Sequence, residues 1–519
     1  MKIGVVVSDK VTPNQSGFSF IASREVFAGQ FVEARSQGGV FLGLIGGVRI
    51  SNPDYEAWQT IHHVITQKPE IDFDMRNLEV YGRGMQVAEV NVLGTYDVAS
   101  GSFDFTGRAV PPGAEVHTAE PSRLVRVLSE DPDGLQIGSI YGSGEVPVAI
   151  SLSALYHHVA VVGSTGSGKS YAGGVLSEEL AKRGKAVVIV DPHGEYASLG
   201  RFRHDKNSDE HDSKLPFEVQ EFTPRRAFIE GTREISLKLS QLSVDDLLHT
   251  MDVPGERQRI LLLSSFEEFV NRVRRNAVED SIAGFVSVVR AIGERGFGNT
   301  TDSTIIRLSK LNELGVLGDG FLAEDVVKEG TVTVLNISGL DQLSEDLMVG
   351  AILRVLFRER RNEKVPPFVL FLEEIHRYAP AANTPTKESL SSIVKEGRKF
   401  RIGVVALSQR PSDIDAAILT QCNTIIILRL FDRADIERIR NRLGPLGALE
   451  SSLANFPPGR AILSGLAARF PVVFQVRQRL TGDGPTHTRR IAPKGANKAN
   501  LFQGISTDRR GSSTQNDEW

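Results

Sequence analysis

One octapeptide, Gly163-Ser-Thr-Gly-Ser-Gly-Lys-Ser170, restricts what this chain can fold into more than any other segment. It has glycine at its first and sixth positions followed by lysine and a hydroxyl, the spacing with which a loop turns successive backbone N–H groups toward a single anion. The apolar run His158 to Val162 precedes it, and Ala172, Val175, Leu176 and Leu180 follow at helical spacing. Strand, tight loop and helix in that order place the loop at the C-terminal edge of a parallel sheet. Gly163, Gly166 and Gly168 let the backbone close on a polyphosphate, and the helix N-terminus adds partial positive charge. The predicted cradle is completed by Thr165, Ser167 and Tyr171. Lys169 reaches the outer phosphates, and the Ser170 hydroxyl is a ligand for Mg2+ bridging the phosphates of ATP.

The rest of the pattern falls on either side of this loop. From Met1 to about residue 150 short stretches alternate, as in Ile3, Val5, Val7 and in Val146, Val148, Ile150, with turn signals such as Asp133-Gly134. This predicts a small β-barrel over 1–150, with a helix-compatible segment at Tyr55 to Thr66. Residues 151–480 read as an α/β core. Its apolar runs are His158 to Val162, Ala186 to Val190, Val332 to Ile337, Phe368 to Leu372, Ile402 to Leu407 and Thr424 to Leu430, separated by amphipathic helices. Ala461 to Ser464 and Val472 to Val476 suit a closing hairpin. Residues 220–330 read as a helical insertion, and Ser344 to Asn362 as a helix with acids in its first turn and arginines in its last. Residues 481–519 hold little to bury and are expected to form a flexible arm.

The carboxylates needed by phosphate chemistry stand at strand ends. Phe368-Val-Leu-Phe-Leu-Glu-Glu-Ile-His376 ends a buried run in an acidic pair, on a strand expected beside the phosphate loop. Side chains alternate along a strand, so the two acids need not share one task. Glu373 is assigned to the Mg2+ shell and Glu374 to deprotonating the attacking water; the bland alternative is a solvated pair. Asp191 in Asp191-Pro-His-Gly-Glu195 follows another buried run and is either a second metal or water contact or a turn former before Pro192 and Gly194. Gln409 ends the run Ile402 to Leu407 and is either a sensor of the terminal phosphate or part of a surface turn before Pro411. Arg398, and after it Arg401, is a candidate for a charge-neutralising arginine supplied to a neighbouring subunit; a cationic helix end is the other reading. His193 and His376 lack metal-site spacing, which leaves them local hydrogen-bonding roles.

Charge narrows the partners. Lys plus Arg number 60 against 64 Asp plus Glu, a formal net charge of -4, so any nucleic-acid contact must come from a local basic surface. The single cysteine, Cys422, reads as a small buried hydrophobe and fits a reducing cytoplasm. Ser8, Asp9 and Lys10 interrupt the N-terminal apolar run before it could serve as an export signal, and no apolar run approaches the roughly 20 residues of a membrane span. A cytoplasmic protein without membrane segments is expected.

Taken in order, GSTGSGKS, DPHGEY, FLEEIH, KEGRKFRIG and LSQRPSDID resemble the HerA branch of the FtsK and HerA ATPases, from about Met1 to Arg479. The resemblance implies a RecA-like P-loop ATPase core behind a HAS-type barrel. It further implies a homo-hexameric ring that hydrolyses ATP between subunits and moves double-stranded DNA through its bore. A NurA-like nuclease or an anti-phage defence effector would dock on the barrel. Lys169, Ser170, Glu373, Glu374, Gln409 and Arg398 match the family's motif positions, and the loop His376 to Lys387 would carry DNA-facing Arg377 and Lys387. The pair is Glu-Glu where many related motors have Asp-Glu, and Ile375 stands where a small residue is common; both departures bear on the metal role of Glu373. Two other readings remain open at this point, a pump for single-stranded DNA and a nucleotide-gated scaffold that recruits an effector.

Overall fold

The computed structural model describes residues 1–8, 13–37, 39–51, 85–97, 100–105, 108–128, 131, 133–143, 146–201, 215–253, 255–380 and 384–482. The expected helix at Tyr55 to Thr66 lies outside the described residues. Strands β1 (Lys2–Val7), β2 (Gly17–Ala22), β3 (Phe31–Ser36), β4 (Gly39–Ser51), β5 (Met85–Tyr96), β6 (Phe103–Asp104) and β7 (Glu115–Thr118) form one sheet. Its order β2-β1-β7-β3-β4-β5 closes because β2 also pairs with β5, so six antiparallel strands make a barrel with β6 appended to β5. Alternate residues Phe18, Phe20, Val32, Phe41, Ile45, Val90 and Val116 fill its interior, and closure removes the open edges that such short strands would otherwise expose. Helix α1 (Pro121–Leu128) follows.

The second sheet is the frame of the site. It contains β8 (Leu135–Ile140), β9 (Pro147–Ile150), β10 (Val159–Val162), β11 (Ala186–Asp191), β12 (Glu218–Pro224), β13 (Arg233–Ile235), β14 (Thr331–Asn336), β15 (Phe368–Leu372), β16 (Ile402–Ser408), β17 (Thr424–Ile427), β18 (Arg460–Gly465) and β19 (Val472–Val476). The order is β13-β12-β14-β11-β15-β16-β10-β17-β18-β19-β8-β9. The first eight strands run parallel, and the remainder pair antiparallel. β10, β11, β14, β15 and β16 are wholly buried, as a sheet covered on both faces requires. Helix α2 (Lys169–Lys182) follows β10 and packs over β10, β11, β14 and β16, burying Ala172, Val175, Leu176 and Leu180 as their spacing predicts.

Three boundaries differ from the sequence reading. Residues 135–150, expected in the barrel, are the far edge of the large sheet: Ile140 pairs with Phe474 and Gly138 with Val476. Alternation marks a strand without saying which sheet takes it. The insertion expected over 220–330 begins with sheet, since β12 and β13 extend the parallel array beside β14. Only then come α3 (Val244–Met251), α4 (Glu256–Arg274), α5 (Ile282–Gly293) and α6 (Asn299–Glu313), packed around Phe266, Phe269 and Phe285. The arm expected over 481–519 starts as fixed chain, with Thr481 fully buried, and 483–519 lie outside the described residues.

Other expectations meet the structure closely. Helix α7 (Gln342–Arg361) begins two residues ahead of Ser344 because Asp341 caps it, accepting the Ser344 N–H at 3.0 Å, and it ends on Arg358, Arg360 and Arg361. β18 and β19 form the predicted hairpin. Cys422 is buried, its thiol pushed up to about 12 by burial. No helix among the described residues is long and apolar enough to cross a membrane.

His158 fixes the entry to β10. Its ring donates from Nε2 to the Val394 carbonyl (3.0 Å) and accepts the Val404 N–H at Nδ1 (3.1 Å), tying β10 to β16 and to helix α8 (Pro385–Glu396). Burial, which is nearly complete, holds its pKa down to about 4 against the raising influence of the Val394 bond.

Candidate active site

The phosphate loop leaves the C-terminal end of β10 and enters α2 at Gly168, whose φ of 99° lies in the left-handed region that favours glycine. Gly163 has a different reason to lack a side chain: a Cβ there would stand 2.5 Å from Ser167 Oγ. That Oγ is buried without a hydrogen-bond partner. An orphaned hydroxyl inside a ring of backbone N–H groups is a donor available to an anion in the cradle.

β15 was expected beside the phosphate loop, and its acids do meet the loop at Lys169 although β15 is not next to β10 in the sheet. β16 intervenes, and the acidic pair spans that extra strand by side-chain reach. Lys169 Nζ donates to Glu373 Oε2 at 2.6 Å and lies 3.4 Å from Glu374 Oε1. Burial works against the charge of Lys169, but Glu373 and then Glu374 more than offset it and hold its pKa above the usual lysine value. Glu373 also accepts from the Tyr196 hydroxyl at 2.5 Å. Tyr196 is fully buried, and its own pKa is driven well up by burial and by Glu373.

Glu374 has a second set of partners. Gln409 Nε2 donates to its Oε1 at 2.6 Å, and Gln409 Oε1 accepts from Thr165 Oγ1 at 2.5 Å, so one amide joins the phosphate loop to the second acid. His376 Nδ1 lies 3.3 Å from Glu374 Oε2 and equally far from Ser408 Oγ. Burial raises the Glu374 pKa, yet Lys169 and Gln409 outweigh it and leave the carboxyl below its ordinary value. Glu374 sits at φ 50°, ψ 49°, a left-handed conformation that costs a residue with a Cβ about 1 kcal/mol or more. The two acids meet different partners, Lys169 and Tyr196 for Glu373, Gln409 and His376 for Glu374.

Asp191 takes the turn-forming alternative. Its Oδ1 accepts from His193 N (3.1 Å) and Gly194 N (2.8 Å), and its Oδ2 from Tyr196 N (2.8 Å), so both oxygens are committed to its own loop. Burial raises its pKa to about 6 against the pull of those N–H groups. It reaches the site only indirectly, by holding Tyr196, a residue that sequence reasoning did not single out although it closes the DPHGEY motif.

Arg398 and Arg401 stand at the opposite edge. The turn Gly397–Phe400 precedes β16 and lies near His157, at the N-terminal ends of the strands. β16 is 7 residues long, about 20 Å at strand rise, so neither arginine can reach the phosphate loop of its own protomer. Arg377 and Lys387 are not presented as loose cations. Arg377 is paired with Glu345, which also accepts from Tyr378 Oη at 2.6 Å, and Lys387 pairs with Asp415 at 2.9 Å in the first turn of α8 rather than in a loop. In both cases the fold spends the cation on an acid of its own.

The donor set near the loop suits a hard divalent cation: the Ser170 hydroxyl in the first turn of α2 and the Glu373 carboxylate beside the neighbouring Lys169. Among the described residues no group of three or more His, Cys, Asp or Glu could hold a metal ion. A cation here would therefore share its shell with phosphate oxygens, as Mg2+ bound with a nucleotide does.

The parallel order with β10 between β16 and β17, the glycine loop opening α2, and the acids at the end of β15 define a RecA-like P-loop ATPase. The sequence profile described as helicase HerA, central domain, matches residues 135–356, and that of the ATPase family associated with various cellular activities matches 317–430. The chain is an ATP-hydrolysing enzyme of this class that carries the HerA helicase central domain. It is 27% identical over 463 residues to the DNA double-strand break repair helicase HerA of Sulfurisphaera tokodaii, covering 81% of this chain and 86% of that one. Its identity to the protein of the same name from Sulfolobus acidocaldarius is 25% over 521 residues, covering 94% and 96%. Among solved structures, VirB4 of Thermoanaerobacter pseudethanolicus superposes with a TM-score of 0.50 at 13% identity, over 67% of this chain and 97% of that one, a likeness of fold.

Proposed function

We propose that this protein is an ATP-driven translocase of double-stranded DNA that works as a homo-hexameric ring and moves DNA for a partner docked on its barrel, either a NurA-like nuclease or a defence effector. The observation that carries the reading is the seam at the phosphate loop, where Lys169 lies against both Glu373 and Glu374 and Gln409 ties Glu374 to Thr165. A binding-only scaffold needs the loop and the lysine; it does not need a buried, ionised second acid bonded to a residue of the loop.

In the proposed reaction the backbone of 163–168 and Lys169 grip the β- and γ-phosphates, and Gln409 reports the terminal phosphate to Glu374 through Thr165. Glu374, held ionised by its neighbours, takes a proton from the attacking water. Ser170 and Glu373 would hold Mg2+, which when bound neutralises charge on the phosphates. Arg398 serves a neighbouring protomer; its place at the strand N-termini fits delivery in trans and nothing in cis. Arg377 and Lys387 are engaged internally, whereas Arg410, next in the chain to Gln409, has a side chain 71% exposed and only a 3.9 Å contact with the half-exposed Asp413, so it is better placed to meet a backbone phosphate.

The test is ATP hydrolysis by purified protein with and without nucleic acid. Lys169→Ala should abolish turnover, and duplex should stimulate the unaltered enzyme more than single strands do. Stimulation by single strands alone would favour the single-strand pump. Turnover indifferent to any DNA would favour the scaffold, and a Lys169→Ala protein that still hydrolyses ATP would remove the site itself.

A further inference from the structure

Glu178 is a buried acid with no part in the chemistry above. It lies on α2 beyond the phosphate loop and has no exposed surface. Its carboxylate is occupied by the chain that follows β19: Leu480 N donates to it at 3.1 Å, Thr481 N at 3.0 Å, Thr481 Oγ1 at 2.7 Å and Arg477 Nη2 at 3.0 Å, with Arg479 Nε 3.7 Å away. Arg477 also bonds Glu179 at 2.7 Å. Residues 477–482 thus cross α2 as a strap, and Gly482 N then donates to the Arg201 carbonyl (2.9 Å), just past the turn Ala197–Gly200 that begins after Tyr196. Sinking a carboxylate completely is costly unless its lone pairs are filled, and here one short segment fills them.

The same strap touches the residue after Ser170. Arg479 N donates to the Tyr171 hydroxyl at 2.8 Å, and the Arg479 guanidinium lies 5.7 Å from the centre of the Tyr171 ring. Gly174 makes room for it, since a Cβ there would stand 2.9 Å from Arg479 Cζ. At about 100° per residue Tyr171 points roughly 200° around α2 from Lys169. Lys169 faces the acidic pair, so Tyr171 borders the opposite flank. A triphosphate with its γ-phosphate at the acids leaves its nucleoside on that flank.

We propose that the strap Arg477–Thr481, locked by Glu178, holds Tyr171 against the nucleoside of bound ATP, which makes Glu178 a positioning residue of the nucleotide site. The inference rests on the reading that 163–170 grip a triphosphate. It adds that recognition of the nucleoside is set by chain from the far end of the sequence.

Steady-state ATPase assays and ADP titration calorimetry on the full chain test it, with inorganic tripolyphosphate as a competitor that has no nucleoside. Glu178→Gln keeps the shape but turns an amide donor toward donors of the strap. It should raise KM for ATP and Kd for ADP about tenfold, the effect of losing one or two hydrogen bonds, and move kcat far less. Inhibition by tripolyphosphate should be unchanged. Tyr171→Phe, which removes the acceptor of Arg479 N, should act in the same direction, and the double variant should be no worse than the poorer single one because both break one connection. An unchanged KM in folded Glu178→Gln protein, or equal weakening of ADP and tripolyphosphate, overturns the proposal. If Glu178→Gln does not fold, Thr481→Val removes the hydroxyl that donates to Glu178 and accepts from Nε and Nη2 of Arg479, and should give the same split at about tenfold, read by the same criteria. Residual hydrolysis in Lys169→Ala would instead strike the reading of the loop, so the two failures are distinguishable.

Discussion

Gln409 is the most informative single residue to change, because its amide joins Thr165 of the phosphate loop to the proposed base. Gln409→Ala removes two contacts, the Nε2 donation to Glu374 (2.6 Å) and the acceptance from Thr165 (2.5 Å). The bond to Glu374 is charge-assisted and shielded, since Glu374 is 3% exposed. Such a bond contributes about 1.5 to 3 kcal/mol, which corresponds to a fall in kcat of roughly 10- to 150-fold. Lys169 and the loop backbone are untouched, so KM should stay within about threefold, the signature of an interaction that matters in the transition state. Gln409→Glu sharpens the argument. It places a second carboxylate where the amide donated, and two acids at that separation share a proton, so Glu374 would lose its low pKa. The variant should be less active than Gln409→Ala near neutrality, and the pH of half-maximal rate should move upward relative to the unaltered enzyme. A stopped assay of phosphate release across pH measures both effects. A Gln409→Ala enzyme within twofold of the original kcat would refute the bridge as a catalytic element.

Two further outcomes follow from the geometry. The folded-state pKa of His158, about 4, lies below the unfolded value of about 6.5, so the unfolded chain binds the extra proton first as pH falls. Urea unfolding between pH 8 and pH 4 should therefore show up to about 3 kcal/mol of stability lost below about pH 6.5, a slope missing in His158→Gln. Arg398→Ala should bind ADP normally yet lose about 10^3- to 10^5-fold in turnover, and mixing it with Lys169→Ala protein should restore some hydrolysis if the arginine acts on a neighbour; no recovery in mixed rings would place it elsewhere.

The parallel core was legible because burial on both faces leaves apolar runs with no alternation, and the loop was legible because its geometry tolerates few residue types. Helix α7 could be read from charges placed to suit its dipole. What escaped was pairing across distance. Nothing local distinguishes β8, which lies between β19 and β9 in the large sheet, from a barrel strand, since both alternate. The roles of Asp191 and Tyr196 were hidden for a related reason: an aspartate at a strand end looks the same whether its oxygens face a metal or three N–H groups of its own turn. Only the fold shows that Tyr196, held by that turn, reaches Glu373.

The cations show the same limit most clearly. Arg377 and Lys387 look in sequence like residues a polyanion could use, yet each is matched to an acid of the chain, Glu345 and Asp415, as Arg477 is to Glu178 and Glu179. Arg354 is likewise paired with the buried Asp246. With 64 acids against 60 Lys and Arg, internal pairing consumes basic residues first where acids are buried, because an unpaired buried carboxylate is the costlier state. A basic residue in a motif is therefore weak evidence for DNA contact in this chain. The stronger evidence is a guanidinium that stays exposed beside the site and is only loosely held, and Arg410, 71% exposed with Asp413 at 3.9 Å, comes closer to that condition than Arg377 or Lys387.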